Sequence, residues 1–284
     1  MKARGLFLVA AVTAALVLHA APSAAFVPQV QIQAQIAEVQ SDDIIAWTPL
    51  AYQYTVTRAV RDYAAPRLGT DFPLRGELAY NNYEFGANSG EAWTALGAYE
   101  RPVNAWGWGV QVPEEYWTPD EFDDWLFEGV TPYAYYNVNE VARVGAFGHL
   151  NYVFSDVEGA EELSWGIGAF GSYMFKPTEG FTITPTAVYT HYAAGQDNWD
   201  DSDIFTLGAK LKFSLTTKLD LRGSFFYTAD ATNDAVDDSF WEWELGVNYL
   251  ATDKIKLLAG FGTIEGYDDF EEAWTIRLGG QLSF

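Results

Sequence analysis

The sequence predicts an all-β fold, a closed antiparallel up-and-down barrel of about twelve strands that crosses a membrane. Three observations carry that expectation. Segments of ten or more residues alternate apolar and polar side chains, the period of a strand whose two faces meet different surroundings. The connections between them alternate between acidic stretches and tight turns, the rhythm of an up-and-down barrel with long loops at one end. Aromatic residues make up 17% of the chain, with 11 Trp, while mean hydropathy is only −0.08. Such a composition arises when apolar faces are diluted by polar ones.

In chain order, Lys2 and Arg4 precede an uncharged apolar run over residues 6–18, and Ala20 to Ala25 supply the small residues of a cleavage site. Residues 1–25 therefore read as a secretory signal peptide. The chain has no Cys, so neither a lipoprotein anchor nor disulfides are expected. Residues 26–73 read as an N-terminal extension or a plug. Val30 to Ile36 alternates like a strand, and near 49–64 the spacing of Tyr52, Val56, Ala59 or Val60, and Tyr63 is helical. Thr48 suits the N-cap, Pro49 the first helical position, and Pro66 marks the end. Two further strands, making fourteen, are the alternative for this segment. The barrel proper spans 74–284. Its strands are expected at 74–85, 91–101, 104–112, 129–138, 141–154 and 162–176, then at 180–193, 203–215, 217–229, 239–251, 254–265 and 273–284.

The formal charge of −23 excludes nucleic acid as an electrostatic partner. Most of the 39 acids fall in five connections, 113–128, 155–162, 195–203, 229–238 and 265–272, which hold no Lys or Arg. A rim this acidic attracts cations and repels anions at low salt. Its carboxylates are also the hard oxygen ligands that Ca2+ takes. However, Asp197 to Asp203 lacks the EF-hand spacing and its turn Gly. No cofactor is expected, and Ca2+ at the acidic loops is the one candidate.

Where a strand carries charges on a single face, that face should line the interior, because a charge against lipid is left unsatisfied. The expected lumen-lining set is Lys210, Lys212, Asp220, Arg222, Glu242, Glu244, Lys256 and Arg277, joined from the other wall by Arg75, Glu77, Arg143 and His149. Opposite signs on neighbouring strands predict cross-strand ion pairs. Trp93, Tyr99, Trp106, Trp108, Tyr116, Trp165, Trp241, Trp243 and Trp274 lie near strand ends, where interfacial girdles form.

The last strand alternates Trp274, Ile276, Leu278, Leu282 and Phe284 with Thr275, Arg277 and Gln281, and the chain stops on its aromatic residue. This resembles the closing strand of Gram-negative outer-membrane β-barrel proteins of the porin-like kind, in which a terminal Phe with apolar residues at alternate upstream positions is the assembly signal. The resemblance implies a place in the cell outer membrane, in contact with its lipid and with the outer-membrane assembly machinery. It also implies a porin-like passive channel for small polar or cationic solutes, with a cation-attracting acidic mouth. A non-conducting structural or adhesive barrel with acidic surface loops is the alternative. A lipid-modifying enzyme is the third possibility. For the last of these, Thr190 to Gly195 loosely resembles the His-x-Ser-x-x-Gly motif of outer-membrane lipid A deacylases. Ala193 occupies the position of the nucleophilic Ser, so no catalytic residue is assigned. No metal-ligand spacing is present either.

Overall fold

The computed structural model describes residues 73–85, 88–119, 125–155, 162–193, 202–230, 239–265 and 272–283. The expected signal peptide, the helical segment near 49–64 with nearly all of 26–73, the terminal Phe284 and most of the acidic connections lie outside these residues. The described chain is all strand and turn. The first half comprises β1 (Leu74–Phe85), β2 (Asn88–Val103), β3 (Trp106–Pro119), β4 (Trp125–Asn137), β5 (Ala142–Ser155) and β6 (Glu162–Tyr173). The second comprises β7 (Phe175–Thr178), β8 (Phe181–Ala193), β9 (Ser202–Ser214), β10 (Leu219–Asp230), β11 (Ser239–Thr252), β12 (Ile255–Glu265) and β13 (Glu272–Leu282).

Twelve of these strands close an antiparallel barrel. Each pairs with the next along the chain, β6 pairs with β8, and β1 pairs with β13 from Leu74↔Leu282 to Glu84↔Glu272. That last ladder excludes the fourteen-strand alternative, because β1 and β13 bond to each other with no strand between them. The short β7 is a continuation of β6 rather than a separate wall strand. Its Phe175↔Ile183 pair follows the same register as Ser172↔Thr186, after an interruption at Met174.

The third and fourth strands differ from expectation. They reach Pro119 and start at Trp125, so the connection expected over 113–128 is mostly strand, and Glu114, Glu115 and Glu128 stand on the wall. Pro113 followed by two acids reads locally as a loop, since Pro removes a ladder donor. In the barrel the β3–β4 ladder skips Val112 and Pro113 and resumes at Glu114↔Glu128. Neighbouring rows carry the strand past the gap.

The tight turns use side-chain oxygens in place of ladder partners. Asn139 Oδ1 accepts from the backbone N–H groups of Val141 and Ala142 at 2.9 and 2.8 Å. Thr216 Oγ1 does the same for Lys218 and Leu219 at 3.1 and 3.0 Å. Asn104 and Gly180 adopt positive φ, 60° and 80°, where the backbone reverses.

On β5, β6 and β9 to β13 the outward row is exposed and apolar. Leu150, Ile167, Phe205, Leu207, Leu211, Leu221, Leu245, Leu257, Ile276 and Leu278 all belong to it. A continuous apolar band of this kind does not survive in water and is what a lipid-facing surface requires. Aromatic rings bound the band at both ends. On the loop side Tyr80 touches Trp93 and Trp274 (centroids 5.1 and 5.4 Å), and Trp241 stacks on Phe225 at 4.8 Å. On the turn side Trp106 meets Tyr136 at 4.7 Å, Tyr99 meets Trp108 at 5.8 Å, and Tyr173 meets Phe175 at 4.6 Å. Tyr116, expected among these rings, faces outward but is buried.

Candidate functional site

The opposite row of each strand faces the barrel interior, and the register brings its residues together. All twelve residues expected to line a lumen fall on this inward row. Five of the strands, β9 to β13, together with β1, form a charged wall. In the registers Arg222 lies beside Lys212 and Gly246, Glu244 beside Ser224 and Gly262, and Arg277 beside Gly260 and Ala79. Because small residues occupy the intervening rows, long charged side chains reach across them. Arg277 pairs with Glu244 and lies 3.8 Å from Glu77, which also pairs with Arg75. Arg222 Nη2 is 3.1 Å from Glu244 Oε1. The result is a chain of alternating sign, Arg75–Glu77–Arg277–Glu244–Arg222, spread over four strands. Each buried carboxylate has a cation on both sides, the condition under which burying charge is tolerable.

Nearer the turns the same wall is wetter. Lys212 Nζ pairs with Asp220 Oδ2 at 3.1 Å, and Ser214 donates to Asp220 Oδ1 at 2.7 Å. Lys210 and Lys256 share that inward row at intermediate exposure, and Glu242 lies on it toward the loops, buried.

The facing wall, β2 to β6, is built from rings and glycines. Tyr133 and Tyr135 of β4 lie across Gly109 and Gly107 of β3, where an added methyl would sit 2.3 and 2.1 Å from the ring carbons. With no side chain in the way, both phenols reach Glu100 on β2, two strands over, donating to its oxygens at 3.1 and 3.0 Å. Arg143 of β5 closes the group: Nη1 is 3.6 Å from Glu100, Nε donates to Asn137 Oδ1 at 2.9 Å, and the guanidinium lies 3.8 Å over the Tyr135 ring. The same device recurs. Phe170 covers Gly145, Phe147 covers Gly168, and the buried His149 covers Gly166. Rings laid flat on neighbouring glycines pave the wall rather than crossing the interior.

His191, the residue of the loosely deacylase-like stretch, faces outward. Its Nδ1 is 3.0 Å from Asp203 Oδ1, which also accepts from Tyr189 at 2.6 Å. The imidazole is oriented by a carboxylate, as acyl transfer requires, but Ala193 brings no nucleophile to the group. Among the described residues no group of three or more His, Cys, Asp or Glu is placed to hold a metal ion.

No sequence-family model matches the chain, and no curated protein sequence does. Solved structures match its fold. The translocator domain of autotransporter NalP from Neisseria meningitidis is similar with a TM-score of 0.56 and 13% identity, over 87% of this chain and 100% of that one. An outer-membrane channel from Pseudomonas putida F1 is similar with a TM-score of 0.57 and 11% identity, over 77% of this chain and 98% of that one. The NanC porin is similar with a TM-score of 0.53 and 11% identity, over 74% and 100%. The chain has the fold of these outer-membrane β-barrels. Its own apolar band between two aromatic girdles puts it across a membrane.

Sequence reasoning missed several polar residues inside the barrel: Glu100, Gln111, Glu115, Thr131 and Asn151, all buried on the inward row. Parity alone would have found Glu100, which alternates with Trp93, Ala95 and Tyr99 and shares a face with Thr94 and Ala98. A second signal was the pair Gly107 and Gly109 between Trp106, Trp108 and Val110. Glycine at alternate positions of a strand marks a face that something else approaches.

Proposed function

We propose that this outer-membrane barrel is a passive channel for small polar solutes, with acid-rich connections concentrating cations at its loop-side mouth. The observation that carries the proposal is water contact inside the wall. Lys212 points inward yet its side chain is 51% exposed, and its neighbours Asp220 and Arg222 are 19% and 17% exposed. Twelve strands enclose more space than one wall of rings fills. The ring-and-glycine wall occupies one side, and the hydrated inward side chains stand opposite it on the turn-side halves of β9 and β10. Similarity of fold to an outer-membrane channel and a porin supports the same function.

A non-conducting barrel is the second reading, favoured by the burial of Arg75, Glu77, Arg277 and Glu244. Single-channel recording in a planar bilayer separates the two. Stepwise conductance is expected from the channel. A heat-modifiable, fully folded preparation that never conducts leaves only the closed barrel. The outward row of β13, with Trp274, Ile276, Leu278 and Leu282, is assigned the role of assembly signal. Replacing Ile276 and Leu278 by Ser should slow insertion by the assembly machinery more than it lowers stability in detergent.

A further inference from the structure

We infer that Glu114 and Glu128 bind a divalent cation of the Ca2+ type on the outer face of the wall, at the loop-side edge of the apolar band. Both residues stand on the outward row. Glu114 alternates along β3 with the exposed Trp106 and Trp108, and Glu128 alternates along β4 with the exposed Tyr136. The ladder pairs the two directly, Glu114↔Glu128, in the register that also joins Trp106↔Tyr136. Directly opposed residues of antiparallel strands hold their Cβ atoms about 5 Å apart. Two carboxylates so placed can converge on one ion.

The pair differs from the acids inside the barrel in what surrounds it. Glu114 is 2% exposed and Glu128 5%. Neither carboxylate oxygen of Glu114 has a hydrogen-bond partner, and among the described residues neither glutamate joins an ion pair. Ala95 lies opposite Glu114 on β2, and Val112 and Tyr116 flank it along its own row. Among the described residues the outward rows of β3, β4 and β5 carry no Lys, Arg or His. Glu77 and Glu244, by contrast, each have arginines on both sides.

Two buried anions set directly opposite each other with no base beside them repel, and each leaves its charge uncompensated. A divalent cation supplies both missing charges at one point. Carboxylate oxygens are the hard ligands that Ca2+ takes, and the two glutamates offer four of the roughly six to eight it needs, with water completing the shell. The position also suits an ion. Tyr116, the next outward residue, lies opposite Trp93 of the loop-side girdle, so the pair sits one outward position inside the interface. The inference holds whether or not the barrel conducts.

The test uses the full-length protein in detergent, stripped with EDTA and titrated with calcium chloride, with the unfolding midpoint read from heat-modifiable migration. Ca2+ at about a hundredfold above its Kd should raise the midpoint of the unsubstituted protein by about 5 °C. The rise should vanish in Glu114→Gln and in Glu128→Gln. It should shrink in Glu114→Asp, which keeps the carboxylate but withdraws it from its partner. In EDTA the ranking should reverse, each Gln variant unfolding at a higher temperature than the unsubstituted protein because the like-charge repulsion is gone. An unsubstituted midpoint that Ca2+ leaves unmoved overturns the inference whether or not the variants fold, and means that protons or a base elsewhere in the chain neutralise the pair. A rise that survives both Gln substitutions also overturns it, and assigns the ion to the acid-rich connections instead.

Discussion

The two walls of this barrel solve the same problem, polar groups facing a confined interior, in opposite ways. On the β2–β6 side the backbone is lined by glycine, and planar rings lie flat on it. Its inward carboxylates are Glu100, held by two phenols and Arg143, and Glu115, which accepts from Thr94. On the β9–β13 and β1 side, long charged side chains span the rows and balance one another by alternating sign. The ring wall spends little side-chain entropy, since a ring pinned on glycine has few rotamers to lose. The charged wall orders flexible Arg and Lys chains and must keep every buried charge matched. The difference teaches where solvent runs. Among the described residues, the most exposed inward charge, Lys212, belongs to the wall made of flexible charges.

If that comparison is right, substitutions on the two walls differ in size in a definite order. Arg277→Met should be the most damaging, costing about 3–5 kcal/mol because it strips a cation from two buried carboxylates at once. Denaturant unfolding in lipid vesicles would measure it, and adding Glu244→Gln should recover part of the loss. Gly168→Ala comes next. Its methyl would sit 2.3 Å from both the Phe147 ring and the Tyr189 carbonyl oxygen. Backbone cannot yield as a ring can, so about 3 kcal/mol is expected, the upper end for overpacking. Tyr133→Phe removes one hydrogen bond to Glu100 while Tyr135 and Arg143 remain, for about 1.5 kcal/mol. Lys212→Gln should change stability by at most about 0.5 kcal/mol, as for other exposed ion pairs. A Lys212 effect as large as that of Arg277 would mean that both stretches of the charged wall are equally dry. The hydrated path would then have to lie elsewhere.

Much of the architecture was legible in the chain because the relevant physics is local. Successive side chains on a strand point to opposite faces, so Phe205, Leu207 and Leu211 declare one surface and Lys210 and Lys212 the other without knowledge of any neighbour. The rhythm of acidic connections and tight turns likewise gave the strand count and the two unlike ends. Local signals misled where Pro113 and the acids after it imitate a loop, since only the flanking rows of β2 and β4 show the strand continuing.

What the tertiary structure alone decided is which residues meet. Register is a property of pairs of strands distant in sequence, and a shift of one residue exchanges the two faces. Nothing in the chain near Glu100 announces that Tyr133, Tyr135 and Arg143 converge on it. Nothing near Leu74 announces that β1 bonds to β13, and so closes the wall at twelve strands. Alternation set each strand's inner and outer faces. Closure set the partners, because they come from strands that only the completed ring brings together.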